Sequence, residues 1–238
     1  MNPQTTAASI VPAANRRALV TGSSAGIGAA IVQQLLIDGW QVLGLDLAPA
    51  TLAHPCFSSL QIDLLDTDAL KRCLASAGAV GALVHAAGFM RTAPLGRLDA
   101  EHGAAMWRVH VQAAEILANA LAPRMPDGAR LVLIGSRVAQ GAVGRSQYAA
   151  CKAALAGMAR SWAAELAPRG ITVNVVAPAA TATAMLQDPA RAATPPQLPP
   201  IGRYIEPAEV ATLVAFLLSP AGAAITGQQI AICGGASL

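Results

Sequence analysis

Arg17-Ala-Leu-Val-Thr-Gly-Ser-Ser-Ala-Gly-Ile-Gly28 decides the fold of this chain. An aliphatic run ends at Thr21, and glycines at 22, 26 and 28 follow before a longer apolar stretch begins. A strand that turns into a helix through glycines lets backbone amides approach an anion closely, with the positive end of the helix dipole behind them. This is how the first βαβ unit of a nucleotide-binding sheet receives a pyrophosphate. A glycine-rich turn alone is a weak signal, and its place at the first strand–helix junction strengthens it. Gly22, Ser23, Ser24, Ala25, Gly26, Ile27 and Gly28 are therefore assigned to a dinucleotide.

Outward from that loop, short aliphatic runs alternate with helical stretches to the end of the chain. Strands are expected at Arg17–Thr21, Gln41–Asp46, Phe57–Asp63, Ala82–Ala87, Arg130–Gly135, Thr172–Ala177 and Gln228–Ile232. Helices are expected near 26–38, 66–76, 99–121, 147–167 and 207–218. Such alternation, with continuously apolar strands, implies an α/β fold: a doubly wound, Rossmann-type parallel sheet covered on both faces. At 238 residues the chain suits one such domain, at 16–238, with residues 1–15 as a flexible arm. The irregular stretch 179–203, rich in Ala, Thr and Pro, reads as a substrate lid.

Composition excludes several functions. Although 54% of residues are hydrophobic, charges such as Arg145, Lys152 and Arg160 interrupt the most apolar stretch, so no membrane span is expected. The net charge of +3 is dispersed, with no basic run for nucleic acid. Cysteines at 56, 73, 151 and 233 show no metal-ligand spacing, so no metal is expected. Met1–Thr6 lacks the basic start and apolar core of a secretory signal, and a cytoplasmic location is expected.

Two carboxylates bear on the coenzyme. Asp46 ends the second strand, eighteen residues after Gly28. There a carboxylate accepts hydrogen bonds from adenosine ribose hydroxyls and repels a 2′-phosphate. No Lys or Arg stands at 23–25 or 47–50 to neutralise such a phosphate, so NAD is expected. Asp63, followed by Leu64, is placed against the adenine edge, or else begins the turn into the next helix.

The chemistry lies farther on. Tyr148 and Lys152 are spaced i, i+4, which puts them on one helix face. A free phenol has a pKa of about 10, and a neighbouring ammonium favours its ionised form. Tyr148 can then take a proton from an alcohol as hydride leaves, or return one to a carbonyl. Ser136, just past the fifth strand, can hydrogen-bond the same substrate oxygen.

These residues together resemble a short-chain dehydrogenase/reductase. The resemblance runs from about Arg16 to the C-terminus. It covers the loop 21–28, Asp46, Asp63-Leu64, His85-Ala-Ala-Gly88, Ser136, Tyr148/Lys152, Asn174-Val-Val-Ala-Pro178, Thr183, and Thr226-Gly-Gln through Gly234-Gly235. It implies that Ala86 and Gly88 border the cofactor, that Thr183 contacts the nicotinamide amide, and that Tyr148 and Lys152 touch cofactor as well as substrate. It also implies a tetramer or dimer packed through the helices at 99–121 and 147–167. A homotetramer is expected, helped by the small residues Ala149, Ala150, Ala153, Ala154, Ala156, Gly157 and Ala159.

Three positions depart from the family pattern. His85 replaces an asparagine, Ala179 replaces a glycine, and His110 stands where the family has an asparagine that holds a relay water. His110 can hold that water or carry the proton, imidazole titrating near neutrality; the alternative is a histidine packed at a helix bend. The substrate is expected to be a small or medium secondary alcohol, or its ketone. Its pocket is assigned to Ser136, Val138, Gln140, Gln147, Tyr148, Ala180, Met185 and Leu186, with Met90 and Arg91 at the rim. The side-chain amides in that set suggest a polyol, sugar or cyclic alcohol. A 3-oxoacyl thioester reductase and a catalytically silent NAD-sensing protein are the alternatives.

Overall fold

The computed structural model describes residues 16–188 and 194–238. Seven strands form one wholly parallel sheet: β1 Arg17–Thr21, β2 Gln41–Asp46, β3 Phe57–Gln61, β4 Ala82–His85, β5 Arg130–Ile134, β6 Thr172–Pro178 and β7 Gln229–Ile232. Their spatial order is β3-β2-β1-β4-β5-β6-β7. The order reverses between β1 and β4, and that switch point opens a crevice at the strands' C-terminal ends.

Period-2 alternation sorts each central strand between two cores. Leu19, Leu83, Leu131, Leu133, Val173 and Val175 face one core, where Leu70 and Leu74 of α2 (Thr67–Ser76) and Leu117 and Leu121 of α4 (Ala113–Leu121) meet them. Leu155 of α5 (Ser146–Leu166) joins that layer. Ala18, Val20, Val84, Val132, Ile134 and Val176 face the other core, covered by Ile31 and Leu35 of α1 (Gly26–Ile37) and Val210 and Val214 of α6 (Pro207–Leu218). Burial on both faces explains why these strands read as unbroken aliphatic runs.

Two elements differ from expectation. The stretch 99–121 is not one α-helix: α3 (Ala100–Trp107) passes through a π-helical turn at Arg108–Gln112 before α4. Asp63 lies two residues beyond β3, where its carboxylate accepts the Leu65 amide at 2.9 Å and so starts the turn towards α2. The stretch 179–203 contains some order: Thr181 bridges to Ile205, and Ala184–Gln187 forms a 3₁₀ turn. The proposed arm at 1–15 and the lid's residues 189–193 lie outside the described residues. Among the described residues no helix is long and apolar enough to cross a membrane.

Candidate active site

A cleft of about 780 Å³ runs along the C-terminal ends of the strands. Gly22, Ala25, Gly26, Ile27, Gly28, Asp46, Asp63, Leu64, Ala86 and Gly88 line one end of it, and Ser136, Tyr148, Lys152, His110 and Thr183 line the rest. Residues more than a hundred positions apart thus meet because the glycine loop follows β1 and the serine follows β5.

The nucleotide end is built for close backbone approach. At Gly28 a Cβ would collide with the carbonyl oxygen of Gly22, so the loop can fold back on the first turn of α1 only with glycine there. A dinucleotide's pyrophosphate fits this cradle: the start of α1 has neither an acidic residue in its first turn nor a side-chain cap to compete with it. Ser23 and Ser24 do not line the cleft, contrary to expectation. Ser23 is buried beneath β2, its hydroxyl against Gly44. Ser24 gives its amide to Asp46 Oδ2 at 2.8 Å and its hydroxyl to the Ala48 carbonyl at 3.2 Å. Asp46 is thereby clamped, its Oδ1 also accepting the Ala48 amide at 2.9 Å. Two amide bonds fix the carboxylate's orientation and leave further lone pairs for ribose hydroxyls.

At the chemical end, Tyr148 and Lys152 occupy one face of α5, and Lys152 Nζ lies 5.7 Å from the phenol ring centre. Lys152 is buried and donates to the Ile134 carbonyl at 2.6 Å. Burial pulls its pKa from 10.5 down to about 7, so its proton is exchangeable near neutral pH. Ser136 caps the 3₁₀ turn at Arg137–Gln140, its Oγ accepting the Val138 amide at 3.1 Å. That bond occupies one acceptor site and leaves the hydroxyl hydrogen to donate towards a substrate oxygen.

His110 sits in the π-helical turn, a distortion frequent at functional sites. Its Nε2 is 2.8 Å from the Phe89 carbonyl, an arrangement that puts the ring proton on Nε2. Nδ1 is buried with no hydrogen-bond partner in the structure, and the ring meets Tyr148 edge-on at 5.4 Å. Burial and the nearby Lys152 charge hold the His110 pKa well below its ordinary value. The lowered pKa favours the neutral ring, whose Nδ1 is then an acceptor, the form suited to holding a water. Gly88 is part of the same arrangement, because a Cβ there would run into the imidazole.

His85 links the two ends. Its Nδ1 is 2.9 Å from Thr21 Oγ1, and its Nε2 is 3.0 Å from the Val109 carbonyl in the π turn. Thr21 Oγ1 in turn accepts the Ala86 and Ala87 amides at 3.2 and 3.1 Å. Burial pushes the His85 pKa down to about 4, so the ring is neutral and serves as a fixed brace.

The expected substrate pocket is only partly formed as assigned. Val138, Ala180, Met185, Leu186 and Met90 line the cleft, whereas Gln140 and Gln147 do not. Gln140 is exposed, and Gln147 is turned to the Asp99 carbonyl at 2.8 Å. Arg91 pairs with Asp188 at 3.3 Å and stacks over Phe89 at 5.2 Å. Two residues absent from the expected pocket, Arg137 and Arg145, line the cleft instead. Their only sequence signal was position: each is within three residues of Ser136 or Tyr148.

Fold and site together define a nucleotide-dependent oxidoreductase of the short-chain dehydrogenase/reductase type. The comparisons agree: residues 22–237 match the family model described as enoyl-(acyl carrier protein) reductase. The chain is 34% identical over 234 residues to the 3-oxoacyl-(acyl-carrier-protein) reductase FabG of Vibrio cholerae, covering 92% of this chain and 96% of that protein. It is 33% identical over 236 residues to human L-xylulose reductase, covering 93% and 96%. Among solved structures, a blue fluorescent protein from a metagenomic library, in complex with NADPH, superposes with a TM-score of 0.82 at 31% identity, covering 93% and 98%. This chain belongs to the short-chain dehydrogenase/reductase family and has its nicotinamide-cofactor fold.

Proposed function

We propose that the protein is an NAD-dependent oxidoreductase that interconverts a small or medium secondary alcohol and its ketone. The observation that carries this reading is the meeting of Ser136, Tyr148 and Lys152 in the cleft that begins at the glycine cradle. A nicotinamide dinucleotide held by that cradle supplies the hydride acceptor or donor. Tyr148 removes the hydroxyl proton during oxidation and returns it during reduction. Ser136 donates to the substrate oxygen and steadies the charge that develops there. Lys152, with a pKa of about 7, exchanges the proton onward, and a water held at His110 Nδ1 connects it to solvent.

NAD rather than NADP follows from Asp46 and its neighbour. The clamped carboxylate lines the nucleotide end of the cleft, where it would accept from ribose hydroxyls, and Leu47 beside it offers no cation to a 2′-phosphate. The NADPH complex of the metagenomic protein is the observation on the other side. Comparing kcat/KM for NADH and NADPH tests the reading, and equal values overturn it. In the same assay Asp46→Ala is expected to erode the preference for NADH.

Likeness to the Vibrio protein favours a second reading, reduction of a 3-oxoacyl thioester. Measuring NADH formation or consumption with secondary alcohols, ketones and one 3-oxoacyl thioester separates the two. Binding of NADH without turnover of any of them favours a silent sensor.

We also propose a homotetramer. Ala149 and Ala159 are buried within the chain, but Ala150, Ala153 and Gly157 form an exposed small-residue stripe along α5. A Cβ on Gly157 would meet nothing, so a second helix has room to approach. Light scattering that gives a monomer at micromolar concentration rules this out.

A further inference from the structure

Resting on the alcohol–ketone reading above, we infer that the substrate carries a carboxylate, bound at the substrate end of the cleft by Arg137. The side-chain amides expected to make this end suit a neutral polyol do not line it, Gln147 being held on the Asp99 carbonyl. Two arginines, Arg137 and Arg145, line it instead, with Arg91 following the lining residue Met90, and two of the three are already committed. Arg91 is neutralised by Asp188 at 3.3 Å, and Arg145 donates to the Thr194 and Pro195 carbonyls at 2.9 and 3.4 Å. Arg137 follows the catalytic serine, lines the cleft and is half-buried. Among the described residues its guanidinium has no hydrogen-bond or ion-pair partner.

A half-buried charge with no partner is a standing electrostatic deficit that an anion relieves. The acidic side chains of the cleft do not supply that anion. Asp46 and Asp63 lie at the nucleotide end, and Asp188 is spent on Arg91. Arg145 adds positive potential to the same cleft. One planar guanidinium matches the fork of a carboxylate with two parallel hydrogen bonds. The adjoining walls, Val138, Met185 and Leu186, are apolar. An oxo or hydroxy acid with a short aliphatic segment between carbinol and carboxylate satisfies both features.

Binding tests this without turnover. Hexanoate and hexanamide have the same chain and differ in charge, and each is titrated into the protein with and without NADH. The acid is expected to bind about tenfold more tightly or better, the size of a charge-assisted hydrogen bond over a neutral one. Arg137→Gln is expected to bring the acid down to the amide's affinity, while Arg160→Gln, on the far part of α5, keeps the difference. An acid that binds no better than the amide, absence of binding included, overturns the assignment, as does a full preference surviving in Arg137→Gln. Failure of the oxidoreductase reading shows separately, as no change in NADH with any alcohol or ketone whatever the acid's affinity.

Discussion

Replacing Lys152 by Met is expected to inactivate the enzyme and stabilise its fold. In the folded protein burial lowers the lysine pKa from 10.5 to about 7, so the unfolded chain holds a proton that the folded chain releases across that interval. Stability therefore rises with pH between about 7 and 10.5, and the lysine's cost is greatest at and below pH 7. At 1.36 kcal/mol per unit, that cost approaches about 5 kcal/mol at its low-pH limit. The substitution also removes the 2.6 Å bond to the Ile134 carbonyl, a loss of about 1.5–3 kcal/mol for a charged donor. Lys152→Met should thus be more stable than the parent by about 2 kcal/mol at pH 7. By pH 9 the parent regains about 2 kcal/mol and the advantage disappears. His85 and His110, both held below 6.5, lose their contribution as pH falls through that value and leave the alkaline interval undisturbed. Urea unfolding of both proteins at pH 7 and 9, at equal protein concentration, reads the difference directly. Equal midpoints at pH 7, or parallel pH slopes, would refute the claim that this lysine is held against its charge.

Tyr148→Phe keeps the ring and removes the proton acceptor; turnover is expected to fall by at least ~10²-fold with NADH affinity little changed, and near-normal turnover on a good substrate contradicts the mechanism. His110→Ala removes the Nδ1 acceptor and should depress turnover per folded molecule and alter its pH profile, whereas His110→Asn supplies an amide oxygen and should retain most activity. Unchanged corrected turnover in the alanine variant, from pH 6 to 9, leaves the histidine a packing role only. His85→Ala cuts the link between Thr21 and the Val109 carbonyl and should lower the thermal midpoint, by a few degrees for a loss of about 1–2 kcal/mol; an unaltered midpoint removes the brace from the account.

The central strands β1, β4, β5 and β6 were legible because they are buried almost throughout and so carry largely aliphatic runs. The i, i+4 pair Tyr148/Lys152 was legible for an equally local reason, since helical spacing alone puts both on one face. Side chains whose partners are distant in sequence were harder. Whether Gln147 faces substrate depends on the Asp99 carbonyl, a partner 48 residues away that no local pattern announces. The bond from the Ser24 amide to Asp46, 22 residues away, is equally unannounced by any local pattern. The π turn at Arg108–Gln112 was also hidden, because Arg108-Val-His-Val-Gln112 contains no glycine or proline to mark a break in the helix.

The contact between Gly88 and His110 ties the two positions together. The imidazole fills the space a methyl group at position 88 would need, so the two positions share one volume. Substitutions there are expected to be strongly non-additive. A library that varies residue 88 while His110 is kept should return glycine alone, and one that varies both should return larger residues at 88 only beside smaller ones at 110. With His110 in place, the volume beside the ring leaves position 88 no room for even one carbon more than glycine has.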